Sequence, residues 1–166
     1  RPAGCAWCRL RPGELGCCLR RFLTVGDVRM WSSRLIRPGA QRRGMPGHPE
    51  IQSFGLDKDT ASMSVVELDF RDMSNCDLAF FGLSRDARGS GLGRALMNLA
   101  IEKAWAKPIN RFWVHTCHYD HPNALGFYQR SGFKPSALMV AVQEDARPPG
   151  KLRREARAHG GPDHTG

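Results

Sequence analysis

The chain has 166 residues, 41% of them hydrophobic and 25% charged, and carries a formal net charge of +9. That length suits one domain with flanking material and excludes two full cores. No run approaches the roughly 18 apolar residues of a membrane span, and the N-terminal residues lack the continuous apolar stretch of a secretory signal. A soluble, cytoplasmic protein is the expectation.

The charge is unevenly distributed. Residues 1–50 hold ten Arg, no Lys and three acidic residues, a net of +7; residues 146–166 carry +3; residues 51–145 carry −1. Basicity that would otherwise suggest nucleic acid or another anionic surface thus belongs to the ends, and the central segment is not expected to bind nucleic acid.

Residues 1–60 are rich in Arg, Gly, Pro and Cys and show little sustained period of 2 or 3.6 beyond "FLTV" at 22–25, so they are expected to be poorly ordered. The first residue is Arg, and an upstream region of a GC-rich gene or a fragmentary gene model translates into such a composition; a genuine basic arm is the other reading. Cys5, Cys8, Cys17 and Cys18 form C-x-x-C followed by a vicinal pair. Zinc sites favour spacings that let both sulfurs turn inward, so unpaired thiols are expected here rather than a metal. Cys76 and Cys117 are expected to be reduced and partly buried.

Regular patterning begins near Met63. "MSVVELDF" and "NCDLAFFGL", separated by the turn-like "RDMSN", predict strands at 64–70 and 77–83. "LGRALMNLAIEKAWAK" carries a broad apolar stripe at helical spacing and predicts a helix from Leu92 that ends at Lys107-Pro108. "RFWVHTC" predicts a strand at 111–117. "HPNALGFYQRSGF" predicts a short helix, with Pro122 in its first turn and Gly132 in the left-handed position that closes it. "ALMVAVQ", at 137–143, predicts a last strand. The order β-β-α-β-α-β is a mixed α/β pattern, placing a domain at 61–145 and a disordered basic tail at 146–166.

Between the second strand and the first helix lies "RDARGSGLGRAL", Arg85 to Leu96. A strand entering a glycine-rich turn and then a helix aims several unsatisfied N–H groups at one spot, which favours an anion. The P-loop pattern fails, because Gly93 is followed by Arg94-Ala95, and "GSGLGR" lacks the spacing and the later acidic residue of a dinucleotide site. Taken alone, the loop reads equally as a structural turn.

Two motifs together resemble the GNAT superfamily of N-acetyltransferases. Arg88, Gly91 and Gly93 match its Arg/Gln-x-x-Gly-x-Gly/Ala signature; Ala124, Tyr128, Gly132 and Phe133, about thirty residues on, match its Ala-x-x-x-Tyr-x-x-x-Gly-Phe motif. The resemblance covers roughly residues 62–145. It implies an α/β acyl-CoA N-acyltransferase fold with a mixed sheet, whose N-terminal elements are lacking or degenerate in residues 1–60. It implies acetyl-CoA as acyl donor, a primary amine as acceptor, and a pyrophosphate held by backbone N–H groups of Arg88, Gly89, Ser90, Gly91, Leu92, Gly93 and Arg94. It further implies that Phe81 and Leu83 lie against the acetyl group, and it is compatible with a homodimer. The chain departs from the family with Arg85 where proline is frequent and with His121 where an asparagine contacting the cofactor is frequent; Asn123 is out of register for that contact.

Amide formation needs a deprotonated amine, a polarised thioester carbonyl and a proton for the leaving thiolate. The resemblance makes Tyr128 the general acid; the plain alternative is an amphipathic core tyrosine. Glu67, Asp69 and Asp77 lie on or beside strands expected to flank the acceptor, and Glu67 and Asp77 are the candidate bases. "HTCHYDH" sets His115, Cys117, His118, Asp120 and His121 close together. A metal is not expected there, since the first two fall in a predicted strand and the others on the loop before Pro122. A catalytically incomplete fragment, or a binding module contacting an anion through its basic ends, is the reading from a different class.

Overall fold

The computed structural model describes residues 5–10, 48–58, 61–117 and 120–140, with 5–10, 58, 61 and 62 as backbone alone. These residues form two compact units, one reaching to His115 and the other beginning at Thr116.

The first unit is built on a five-stranded sheet in the order β1 (Cys5–Leu10), β2 (Ile51–Lys58), β3 (Ala61–Asp69), β4 (Asn75–Leu83) and β5 (Arg111–Trp113). Neighbours from β1 to β4 are antiparallel, whereas β5 runs parallel to β4. That parallel step requires a crossover, supplied by helix α1 (Leu92–Trp105), which packs against β3, β4 and β5. Its apolar stripe buries Leu92, Leu96, Met97, Ala100 and Ala104. Past its C-terminus, Lys107 Nζ donates to Glu50 Oε2 at 2.6 Å and lies 4.2 Å from the centre of the Phe70 ring, tying the helix end to the start of β2.

Among the described residues, two strands lie within residues 1–60, where the sequence shows no sustained period. In β2, "IQSFGLDK", residues on both faces are buried, so no alternation marks it. Its register with β3 shifts between Leu56 and Asp57, where Met63 is the extra residue of a bulge. Ser64 Oγ accepts the Leu56 N–H there at 3.1 Å.

Leu56, Ala87 and Leu92 form a buried cluster, with Met63 and Leu83 packed against it. Five short stretches of chain are thereby anchored at one point under the glycine-rich loop. Leu56→Ala is expected to lower unfolding stability by about 2–5 kcal/mol, read as a lower urea midpoint with an unchanged slope.

Two predicted strands are corrected. The strand expected at 111–117 ends at Trp113, because β4 is its one ladder partner among the described residues and the pairing stops there. Further on, Asp120 Oδ2 accepts from Thr116 Oγ1 at 2.9 Å and from the Cys117 N–H at 3.0 Å, so a local turn replaces extended backbone. Residues 137–140 form no strand either, and Leu138 and Val140 stand 99% and 93% exposed. A β-prone segment becomes a strand only against a partner edge. Residues 141–143 and the 146–166 tail lie outside the described residues.

The second unit contains helix α2 (Ala124–Arg130). Pro122 lies in the turn before it rather than inside its first turn. The helix closes as expected at Gly132, whose φ of +100° lets the Gly132 N–H reach Gln129 O and the Phe133 N–H reach Tyr128 O at 3.1 Å. No helix among the described residues is long and apolar enough to cross a membrane.

Candidate functional site

β4 leads through Ser84 into a 3-10 turn, Arg85–Ala87, and then to the glycines. Gly89 and Gly91 both hold left-handed backbone, with φ of +74° and +79°, and Gly91 caps α1. Ser90 Oγ donates to Ala87 O at 2.7 Å, which tightens the loop from within. The Arg88 N–H donates to Arg85 O and the Arg94 N–H to Gly91 O, so the two ends of the expected donor set are engaged inside the loop. Among the described residues, the N–H groups of Gly89, Ser90, Gly91, Leu92 and Gly93 donate to no backbone carbonyl. Five donors at the positive end of a 14-residue helix, with the exposed Arg88 side chain beside them, make an anion cradle. The Leu92 side chain is buried beneath it, leaving only the main chain of that residue for a ligand.

Beside this cradle the sheet parts. The β4–β5 ladder pairs Asn75 with Arg111, Cys76 with Phe112 and Asp77 with Trp113, and ends there. β4 runs on for six residues to Leu83. Opposite β3, Glu67 pairs with Phe80 and Leu68 with Leu78, so Ala79 is an extra, bulged residue. Phe81 and Leu83 are half-buried, with Leu83 turned into the cluster under the loop.

Directly opposed residues share a face of the sheet, and so do residues two apart on a strand. One row therefore runs Ile51, Asp69, Asp77, Trp113 across four strands, and the next runs Ser53, Glu67, Phe80. The three candidate carboxylates thus share one face, each in a different setting. Glu67 is fully buried and accepts from Ser53 Oγ at 2.9 Å. Asp69 is chelated by Arg71; burial alone would raise its pKa, but the Arg71 hydrogen bonds hold it below the usual value. Asp77 is largely buried, and its Oδ1 has no hydrogen-bond partner among the described residues. Burial, with Asp69 adding to it, pushes its pKa up to about 6 against the opposing pull of His115 and Arg71. Cys76, beside it on β4, is a buried free thiol that desolvation pushes up to about 12, which makes it inert. Cys117 is free and exposed, not partly buried as expected.

In the second unit, Tyr128 is 8% exposed and packs edge-on against Phe127 and Phe133, each with ring centres 5.9 Å away. Burial, and then the nearby Asp120, raise its pKa, so the phenol stays protonated. His121 Nδ1 accepts the Asn123 N–H at 3.1 Å and its carbonyl accepts from Ala124, which engages this residue in the entry to α2. Asp120 is engaged in the turn with Thr116 and Cys117. His118, Cys17 and Cys18 lie outside the described residues, and among those described no group of three or more His, Cys, Asp or Glu side chains could hold a metal ion.

The acetyltransferase (GNAT) family model matches residues 49–133, just over half of the chain. The chain belongs to the GNAT acetyltransferase family. It is an acyltransferase by that membership, and the match begins at the start of β2, so this strand is part of the GNAT domain. Solved structures share the fold at low identity. An aminoglycoside acetyltransferase, meta-AAC0020, from an uncultured soil metagenomic sample matches with a TM-score of 0.64 and 13% identity, over 86% of this chain and 96% of its own. A second from such a sample, HMB0005, gives 0.65 and 16%, over 85% and 99%. The ribosomal-protein-S18-alanine N-acetyltransferase of Escherichia coli gives 0.61 and 14%, over 80% and 79%. No curated protein matches the sequence.

Three features of this GNAT domain escape sequence reasoning. The Ala79 bulge has no local signature, and Ser53 and Trp113 acquire their neighbours only through cross-strand register. Arg71 was within reach, being two residues from Asp69 in a turn, where such a pair closes easily.

Proposed function

We propose that the chain transfers an acetyl group from acetyl-CoA to a primary amine. The observation that carries this reading is the set of five backbone donors at Gly89–Gly93, which open beside the stretch of β4 that continues past the end of the β5 ladder. The cradle suits a pyrophosphate. A pantetheine arm has about as many backbone bonds as four residues, so from Leu83 it would reach back along β4 past Phe81 to Ala79, nearer the bulge than the expected contacts at Phe81 and Leu83. There the bulge frees main-chain polar groups from the ladder, and Asp77 lies two residues farther on.

Bound acetyl-CoA supplies an activated acyl group; the chain supplies binding, orientation and proton handling. The loop N–H groups and Arg88 hold the phosphates, and main-chain N–H groups of β4 polarise the thioester carbonyl. Asp77, with a pKa of about 6, is ionised at neutral pH yet basic enough to take the proton of an ammonium group, directly or through water. Glu67 and Asp69 have hydrogen-bonded partners, which favours Asp77 among the three. Tyr128, kept protonated by burial, donates to the departing thiolate. The solved relatives named above are two aminoglycoside acetyltransferases and an alanine N-acetyltransferase, so an amine is the acceptor class proposed here.

The test is incubation with acetyl-CoA and a panel of amines, aminoglycosides and peptide N-termini, with release of free thiol as readout. Thiol release that depends on the amine is expected; none across the panel, with no binding of acetyl-CoA, overturns the reading. Tyr128→Phe is expected to lower kcat by about 10-fold or more with little change in the KM for acetyl-CoA, and full activity would remove the tyrosine from its role.

A further inference from the structure

The row Ile51, Asp69, Asp77, Trp113 opposes two carboxylates directly across β3 and β4, an arrangement that is unfavourable when both are charged. Arg71, just past the end of β3, answers it. Its Nε donates to Asp69 Oδ1 at 3.0 Å and to Oδ2 at 2.9 Å, its Nη2 donates to Oδ2, and its backbone N–H donates to Oδ1 at 2.9 Å. The Asp69 side chain is only 11% exposed whereas the Arg71 side chain is 41% exposed, so an outer cation is closed over an inner carboxylate. Asp77, across the row, has no such partner on Oδ1 among the described residues.

We propose that Arg71 is a positioning residue for the acetyl transfer: by chelating Asp69 it cancels the charge opposite Asp77 and leaves Asp77 as the carboxylate that takes the acceptor's proton. The inference rests on the reading of Asp77 as the base. It assigns the ion pair a task that stability alone does not, since a pair whose cation stands in solvent contributes little to folding.

The charges that bear on Asp77 come from three elements: Asp69 on β3, Arg71 in the turn after it, and His115 beyond β5. Glu67 on β3 acts on Arg71, and His48, before β2, acts on Asp69. Removing Arg71 leaves Asp69 uncompensated, and Asp77 holds its proton to higher pH. Removing Asp69 leaves Arg71 uncompensated, and Asp77 releases its proton at lower pH. The two halves of one ion pair therefore displace Asp77 in opposite directions, which a loss of packing common to both variants would not do.

The test follows the Asp77 carboxyl by carbon-13 NMR titration in the full chain, an observation that needs no acceptor. Arg71→Gln is expected to raise its midpoint by about half a pH unit or more, and Asp69→Asn to lower it by a similar amount. Arg71→Lys, which keeps the charge, restores the midpoint to near the wild-type value. Unchanged midpoints, or shifts of the same sign in both single variants, overturn the proposal. A wild-type rate in Asp77→Asn would instead sink the base assignment while leaving the NMR shifts to be judged on their own. With the base assignment intact, the acid limb of kcat/KM moves with the NMR midpoint in each variant.

Discussion

Replacing Asp77 by Asn is expected to lower kcat/KM for the proposed amine acetylation by about 10²–10⁴-fold and to leave the KM for acetyl-CoA unchanged. The carboxylate oxygen that has no partner among the described residues is lost, and Glu67 and Asp69 are not expected to replace it because Ser53 and Arg71 hold them. With Asp77 as the base, wild-type activity is expected to rise with pH through about 6, and in Asp77→Asn that limb is expected to disappear.

The same substitution acts on stability in the opposite sense. Burial raises Asp77 from 3.8 to about 6, so between those values the folded chain keeps a proton that the unfolded chain has released. Folding stability falls as pH rises through that window, and the neutral amide recovers about 1–2 kcal/mol at pH 7 once partial exposure is allowed for. A variant that melts higher and works far more slowly is the expected outcome. Full activity with the acid limb intact would exclude Asp77 as the base.

Gly91→Val is expected to remove the stabilisation that acetyl-CoA, as the proposed donor, would confer on the wild type. A Cβ at Gly91 meets nothing within 4 Å, so the damage is not a clash with a neighbour but the backbone angle, φ +79°. An L-residue in that conformation costs about 1–2 kcal/mol, and a β-branched one more. The loop relieves the strain by turning, which re-aims the N–H groups of Leu92 and Gly93 and breaks their convergence on one anion. At a hundredfold excess over Kd the wild type is expected to gain about 2.7 kcal/mol of stability, and Gly91→Val close to none. A thermal shift equal to that of the wild type would mean that the donor binds elsewhere.

How far the sequence could be read follows from the range of each interaction. β3, β4, α1 and the Gly132 closure of α2 were legible because period and turn chemistry act over a few residues. β2 was not, because Ser53 and Gly55 occupy buried positions that only the Glu67 pairing and the sheet explain. The strand expected at 111–117 was overextended because β-propensity says nothing about where a neighbouring strand stops.

The candidate site divides along the same line. By itself the sequence determined that a glycine-rich turn opens a helix, and that Tyr128 and Gly132-Phe133 follow at the spacing of an acetyltransferase, since both are written in contiguous residues. It could name Glu67, Asp69 and Asp77 but could not rank them, because a carboxylate's charge state depends on what faces it. Only the tertiary structure gave each carboxylate its surroundings, through register: it set Ser53 on Glu67, left Asp69 to Arg71, and placed Asp77 largely buried where the β5 ladder ends. Hydrogen bonds within a turn are local, whereas desolvation and cross-strand charge exist only once strands distant in sequence are brought together.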